Sequence, residues 1–255
     1  MTRRESQFWC GAACLIVVAL LVQFAILVRD ARRAAQATAA KGMLNQLHLA
    51  LHNYHDMYGQ FPPAFVADET GKPMHSWRVL VLPFIDGKEL YDAYRFDEPW
   101  NGPNNSKLAN RMPPAFHSHS EPPSTTNTNA VVIVGPDTAF PGSRSTRLED
   151  FKDGQENTIL LTEIGNSTIP WLAPRDLSVE TMSFRVQDKQ KPSISSVSWR
   201  QPYVVFADRL TTFSLSDTLS PDELRALTTI AGGEPVTRES LESQGRIDRQ
   251  FLLSR

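Results

Sequence analysis

The apolar run near the start of the chain constrains the fold more than any other feature. Residues 8–28 read FWCGAACLIVVALLVQFAILV, and Gln23 is the only strongly polar side chain among them. At ~1.5 Å per residue, a helix of this length spans roughly 30 Å, the thickness of the hydrocarbon core of a bilayer. A soluble helix that is apolar on every side would need a much larger protein around it. The run therefore predicts a membrane segment, with a lipid bilayer as the partner of residues 8–28.

The same run is longer than the apolar core of a secretory signal, which is usually about 7–15 residues. No small-x-small cleavage site follows it before the charged residues Arg29, Asp30, Arg32 and Arg33. We therefore expect an uncleaved anchor. Because Arg3 and Arg4 precede the run and further arginines follow it, the charge bias leaves the orientation open.

Charge and cysteine content exclude several classes of function. The chain has 26 Lys+Arg against 28 Asp+Glu, so it lacks the basic excess typical of nucleic-acid binding. Its two cysteines, Cys10 and Cys14, both lie in the apolar run. The rest of the chain can therefore form neither a disulfide nor a cysteine-based metal site.

A helix is predicted to continue from the anchor to about Tyr58, because the sequence there is rich in alanine and lacks proline. Gly59 is a plausible helix stop, and Pro62-Pro63 prevents continuation. Apolar residues recur at steps of three and four, which indicates an amphipathic helix with one packing face. This stripe comprises Leu44, Leu47, Leu51, Tyr54 and Tyr58, with Met43, Ala50 and Met57 beside it.

Beyond Pro63 the pattern changes to short β-like runs, which predicts an α+β protein with an antiparallel sheet. The predicted strands are Ser76–Pro83, Ala130–Val134, Thr158–Glu163, Ser193–Trp199 and Tyr203–Ala207. Short helices are predicted at Lys88–Tyr94 and Asn104–Asn110, and a surface loop from His117 to Asn129. We expect three regions: an anchor at 1–33, a folded domain at 34–233 and a polar tail at 234–255, either loosely helical or disordered.

One later helix has a clear start signal. Ser220 stands at the N-cap, Pro221 at the first helical position and Glu223 at the third, which is the pattern of a capping box. Gly232-Gly233 is the predicted end of this helix.

Three histidines and an aspartate at the end of the long helix form the most suggestive polar cluster. His48, His52 and His55 fall within about 60° of one another beside the apolar stripe, so two imidazoles could face one metal ion. However, Asp56 points away from them, and the glutamate of an HExxH motif is absent. We interpret the histidines as the margin of a packing face. His52 is predicted to lie farthest from the stripe, so that His52→Ala should cost little stability.

The remaining polar clusters give weaker signals. His117 and His119 lie in a Ser/Pro/Thr/Asn-rich loop, and the acidic residues Glu149, Asp150, Asp153 and Glu156 lack the regular spacing of a calcium loop. The segment 97–101, DEPWN, reads as a loop anchored by Trp100. No nucleophile elbow, phosphate-binding loop or dinucleotide fingerprint occurs. We predict no catalytic residue, no metal ligand and no cofactor.

Several motifs in one order resemble a large prepilin-like family of unknown function that is expanded in planctomycete bacteria. They are LHLALHNYHDMYGQFPPAF, SWRVLVLPFID, LYDAYRFDEPWNGPNNSKL, MPPAF, VIVGPDTAFPG, DGQENTILLTE and IPWLAPRDL. The family is known as domain of unknown function 1559 and sometimes carries a solute-binding label. The resemblance runs from about Ala34 to Glu234. The helix end is also similar to the major pseudopilins of type II secretion.

The resemblance implies a pilin-like architecture, in which a long N-terminal helix packs on an antiparallel sheet outside the cytoplasmic membrane. It also implies that the N-terminus is inside and the C-terminal domain faces the periplasm. The family's processing site carries a glutamate where this chain continues from Gly11 with apolar residues, so peptidase processing is not expected. His117-Ser118-His119 replaces the family's Cys-Pro-Ser.

We therefore expect an anchored, non-enzymatic envelope protein with a structural or interaction role. An anchored solute- or ligand-binding domain, with a pocket around Trp77, Trp100 and Trp171, is the alternative. A metal-dependent hydrolase is a third and weaker reading.

Overall fold

The computed structural model describes residues 3–117, 125–197, 201–209 and 212–250, excluding the side chains of residues 3–14 and 16. The chain divides into two compact units, residues 1–38 and residues 39–255. Helix α1 (Arg3–Tyr58) supplies the first unit and also opens the second. Its end at Tyr58 confirms the predicted helix stop, because Gly59 adopts a left-handed φ of 74° and its N–H bonds to the carbonyl of His55 at 2.7 Å.

The second unit is built on a five-stranded antiparallel sheet in the order β3-β5-β7-β8-β9. Its strands are β3 (Ala130–Val131), β5 (Ile159–Glu163), β7 (Tyr203–Phe206), β8 (Thr212–Leu215) and β9 (Ile247–Gln250). The central strands β5, β7 and β8 are buried at every residue, as expected of strands covered on both faces. The mixed helix and sheet architecture, with a long N-terminal helix and an antiparallel sheet, confirms the predicted α+β class.

Smaller elements surround this sheet. Strands β1 (Phe65–Ala67) and β2 (Pro73–Ser76) form an antiparallel hairpin, and β4 (Ile133–Val134) pairs in parallel with β6 (Leu177–Ser178). The short helices are α2 (Trp77–Leu80), α3 (Lys88–Ala93), α4 (Pro221–Ala226) and α5 (Arg238–Ser243). Five 3₁₀ turns complete the described elements: Leu82–Phe84, Asn105–Arg111, Pro114–Phe116, Leu148–Asp150 and Gln155–Asn157.

Most predicted elements are present, and several predictions were wrong. Ser76–Pro83 is not a strand: Ser76 caps α2, and a 3₁₀ turn follows. Residues 193–197 contain no strand, and the rest of that predicted strand, including Trp199, lies outside the described residues. Helix α4 ends at Ala226, before the predicted Gly232-Gly233 stop. Residues 234–250, expected as a polar tail, form α5 and the edge strand β9.

The predicted anchor at residues 8–28 is helical throughout. Within the described residues, no helix carries an apolar stretch long enough to cross a membrane. The side chains of residues 8–14 and 16, which belong to the predicted span, lie outside the described part of the structure.

Candidate functional site

Nine large apolar side chains of the first unit are exposed on the surface of the helix. Exposed fractions range from 44% at Ile26 to 73% at Leu15. At 100° per residue, these positions cover roughly 260° of the helix circumference, and the exposed residues Ala19 and Gln23 lie in the remaining sector. This set, which we call the apolar collar, consists of Leu15, Val17, Val18, Leu20, Leu21, Val22, Phe24, Ile26 and Leu27.

The part of α1 within the second unit behaves differently, because one of its faces is packed. Leu44, Leu47 and Leu51 are fully buried, as the apolar stripe predicts. The side-chain oxygen of Asn45 accepts a hydrogen bond from the Thr212 hydroxyl at 2.8 Å, which joins this face to β8. The stripe does not reach Tyr58, which is 55% exposed, so its predicted burial was wrong.

Two histidines of this helix form a buried pair. The Nε2 atoms of His48 and His52 are 3.0 Å apart, so one imidazole donates to the other. His52 is only 2% exposed, and its ring packs edge-on against Phe61 with centroids 5.5 Å apart. Burial, followed by the neighbouring His48, lowers the pKa of His52 from 6.5 to about 3, and burial also lowers the pKa of His48. The prediction that His52 lies farthest from the packing face, at an exposed position, was therefore wrong.

The other members of that cluster have separate structural roles. His55 Nε2 accepts a long hydrogen bond from the Leu148 amide at 3.4 Å. Asp56 pairs with Arg209, whose hydrogen bond lowers the pKa of the Asp56 carboxyl. Across the described residues, no group of three or more His, Cys, Asp or Glu side chains is arranged to hold a metal ion. The described geometry therefore gives the histidines a packing and hydrogen-bonding role.

The acidic residues considered for a calcium loop stabilise local turns and loops. Asp150 accepts the Arg147 amide at 2.7 Å, at the start of a 3₁₀ turn. Asp153 accepts the amides of Gly232 and Gly233 at 2.6 and 2.9 Å, so it fixes the loop after α4. Carboxylates engaged in this way do not converge on a common cation. His119 lies outside the described residues.

Hydrogen bonds from backbone amides hold the loop at residues 97–101 in place. Glu98 Oε1 accepts the amides of Asn104 and Asn105 at 2.8 and 2.7 Å. The Trp100 amide donates to the Met74 carbonyl at 3.0 Å, which anchors the loop to β2. The reading of this segment as an anchored loop agrees with these contacts.

The two buried tryptophans, Trp77 and Trp171, do not form the predicted tryptophan pocket. Trp77 and Trp171 are both fully buried, and Phe116 lies between them, with centroids 6.1 Å from Trp77 and 5.9 Å from Trp171. Trp171 Nε1 donates to the Ala109 carbonyl at 2.8 Å. These indoles fill the core, and Trp100 is only half-buried on a separate loop.

The second unit carries a cleft of about 1010 Å³ that the sequence did not indicate. This volume lies just above the range of about 300–1,000 Å³ that is typical of small-molecule sites. Its walls come from residues 164–169, 175–181 and 187–197, with Asp217 on a further loop. These segments carry no shared motif, so only the tertiary structure reveals that they converge.

The chain bends sharply at two positions in the cleft wall. Asn166 and Gln187 adopt left-handed φ values of 50° and 60°, which are uncommon for residues other than glycine. Gly165 is needed for a close approach, because a Cβ there would lie 2.7 Å from the backbone carbon of Ser196. The Gly165 amide also donates to Ser195 Oγ at 3.1 Å, which ties the two walls together.

One residue of the cleft lining, Asp176, belongs to a buried ion pair. Arg78 Nη2 and Asp176 Oδ1 are 2.5 Å apart, with side-chain exposures of 0% and 1%. Asp176 also accepts the Val132 amide and the Trp77 indole N–H, at 3.0 and 3.2 Å, and Arg78 donates to the Ala130 carbonyl at 2.9 Å. Burial raises the pKa of Asp176 and lowers that of Arg78, while each partner opposes the shift of the other. Because these hydrogen bonds engage both charged groups, the ion pair is a fixed part of the fold.

Comparison with known proteins gives one match. Residues 29–146 match the family model SBP_bac_10, described as a protein of unknown function (DUF1559). No curated protein and no solved structure matches the chain. The planctomycete expansion and the likeness to pseudopilins stay predictions. Over residues 29–146, this chain is similar to the DUF1559 family.

Proposed function

We propose that the protein is a single-pass membrane protein of the cell envelope with a pilin-like architecture. It has a structural or interaction role and no enzymatic activity. Residues 8–28 cross the cytoplasmic membrane, and the C-terminal domain faces the periplasm. The absence of a processing glutamate near Gly11 supports an anchor that remains attached.

The apolar collar is the observation that carries this proposal. Its nine described side chains are spread over roughly 260° of the helix circumference, and none is less than 44% exposed. Large contiguous apolar surface on a soluble protein marks a membrane or a protein interface. A lipid environment satisfies all sides of one helix together, whereas a single protein partner covers only one face.

The test compares membrane attachment of two matched variants. Leu20→Lys/Leu21→Lys places two charges in the apolar collar. Each lysine near the centre of a membrane span makes the free energy of insertion less favourable by roughly 2.5–3.5 kcal/mol. The control Leu49→Lys changes a leucine in the second unit that is 59% exposed. We expect the wild type and the control to stay in the pellet after alkaline carbonate extraction, and the double variant to be released. Release of the wild type would contradict the anchor.

Intact mass of the protein from its native membrane tests the processing proposal. We expect a mass that includes the residues before Gly11. A mass that begins immediately after Gly11 would overturn this proposal and favour filament assembly. Protease protection in sealed vesicles, with a tag at either terminus, tests the orientation.

The cleft favours a second candidate function, an anchored ligand-binding domain. The cleft is about as large as a small-molecule site, and one of its lining residues, Asp176, is fixed by the buried pair with Arg78. It replaces the predicted tryptophan pocket as the place where a ligand would bind. Both functions can coexist, because the anchor and the cleft belong to different compact units.

A further inference from the structure

We infer that the cleft binds a hydroxyl-rich ligand with a carboxylate group, that is, an acidic sugar. This inference rests on the second candidate function and goes beyond it by naming the ligand class. The residues that recognise the acid are Lys189 and Lys191 on one wall and Arg175 on another.

Hydroxyl and amide groups dominate the polar lining. A hydroxyl both donates and accepts hydrogen bonds, and a side-chain amide offers one of each kind of atom. This lining matches the vicinal hydroxyls of a sugar, which also need a donor and an acceptor at each oxygen. The polar neutral residues are Asn166, Ser167, Thr168, Ser178, Thr181, Gln187, Ser193, Ser195 and Ser196.

Apolar side chains also line the cleft among the hydroxyls. Ile164 and Leu177 are buried there, and Ile169 is partly buried against the same core. A sugar ring presents C–H groups on one face and hydroxyls around its edge, so a lining with both characters suits it.

The charges around the cleft favour one negative charge on the ligand. Asp176 is matched by Arg78, so this pair carries no net charge. Asp188 and Asp217 then face the three cations Arg175, Lys189 and Lys191, which leaves a surplus of one positive charge.

The two lysines are available for a ligand. Their ammonium groups form no ion pair or hydrogen bond with the described part of the chain, and both side chains are exposed. Asp188 Oδ1 accepts the amides of Gln190 and Lys191 at 2.8 and 3.3 Å, so the segment that presents them has a defined shape. The Arg175 guanidinium donates to the Thr168 carbonyl at 2.7 Å, which orients it along the wall. This hydrogen bond preorganises the Arg175 guanidinium, which therefore loses less conformational entropy when a ligand binds.

Two matched probes test this inference on the full-length protein. 3′-Sialyllactose carries one carboxylate and lactose is its neutral core. Binding of each is measured by isothermal titration calorimetry in a detergent with a polyoxyethylene head group, because a sugar head group would compete. The variant Lys189→Gln/Lys191→Gln removes both ammonium groups, and Lys107→Gln/Lys152→Gln is the control, since neither of those lysines lines the cleft.

We expect 3′-sialyllactose to bind at least tenfold more tightly than lactose, and the cleft variant to lose that difference while the control keeps it. Equal binding of both sugars, unaffected by the cleft variant, would overturn the acidic ligand while retaining a binding site. No binding of either sugar would overturn the inference and leave the second candidate function without support. Membrane attachment is read separately, so the anchor proposal is not affected by these results.

Discussion

The buried histidine pair predicts a specific loss of stability in acid. An unfolded His52 titrates near its ordinary pKa of 6.5, whereas the folded pKa is about 3. Between these values the unfolded chain binds a proton that the folded chain excludes, so acidification favours unfolding. At pH 5, about 1.5 units below the unfolded pKa, His52 alone should lower the free energy of unfolding by roughly 2 kcal/mol relative to neutral pH.

The surroundings of the pair explain why the folded protein excludes the proton. Burial is the largest cause of the lowered pKa of both rings. Arg209 disfavours protonation of both rings, whereas Asp56 and Asp208 favour it. Because two imidazoles share one hydrogen bond at 3.0 Å, two imidazolium ions there would repel each other.

Urea unfolding of the full chain in nonionic detergent, followed by tryptophan fluorescence at pH 7 and pH 5, checks the magnitude. His52→Gln removes the titrating ring. The free energy of unfolding of this variant should therefore fall by roughly 2 kcal/mol less than that of the wild type between pH 7 and pH 5. Leu49→Gln on the exposed face should retain the full change. If wild type and His52→Gln lose the same free energy, His52 does not exclude a proton in the folded state. A chelator should leave all these midpoints unchanged; a shift would revive the metal alternative.

Three substitutions test other parts of the second unit by urea unfolding. Leu51→Ala should lower the free energy of unfolding by about 2–5 kcal/mol because the side chain is fully buried. The control Leu49→Ala, on the exposed face, should change it by less than about 0.5 kcal/mol. Equal effects of the two substitutions would mean that the packing face is wrongly assigned. Arg78→Met leaves the buried carboxylate of Asp176 unpaired and should cost about 3–5 kcal/mol, most of which Asp176→Leu should restore in the double variant. Ser220→Ala removes the N-cap of α4 and should cost about 1 kcal/mol; no change would mean that the cap is not formed.

Local sequence signals predicted the elements that depend on local chemistry. The capping box is an example, because Ser220 Oγ accepts the Glu223 amide at 3.3 Å and the Glu223 carboxylate accepts the Ser220 amide at 2.8 Å. Both partners lie within one turn, so three residues suffice to predict the start of α4. The stop at Gly59 is equally local.

Elements that depend on distant partners could not be predicted. SWRVLVLP has the composition of a strand, yet the Arg78 guanidinium reaches the carboxylate of Asp176, 98 residues away, and the segment turns as a short helix. The edge strand β9, IDRQ, has only Ile247 fully buried, so it lacks the alternation that indicates a strand.

The error at His52 has a similar origin. Helical angles alone placed this ring at the edge of the packing face. The chain reverses after Gly59, and the fully buried ring of Phe61 then contacts both His52 and His55. The cleft was hidden for the same reason, because its walls come from segments that are separated in the sequence and meet through left-handed bends at Asn166 and Gln187.

The region that matches the DUF1559 family is only part of the unit that folds. The match ends at residue 146, but β3 inside it pairs with β5 outside it, and the sheet continues through strands β7, β8 and β9. Arg78 and Trp77 within the match bind Asp176 beyond it, and Asn45 of α1 binds Thr212.

A chain that stops at residue 146 would therefore lose the carboxylate that pairs with a fully buried guanidinium. An unpaired buried charge of this kind costs about 3–5 kcal/mol, which is a large share of the stability of an ordinary domain. The shortened chain would also lose four of the five strands of the main sheet. We expect residues 39–255 to give a cooperative urea transition and residues 39–146 to give none. A cooperative transition for the shorter chain would show that the family region folds without the sheet, and that the contacts at Asp176 and Thr212 are dispensable.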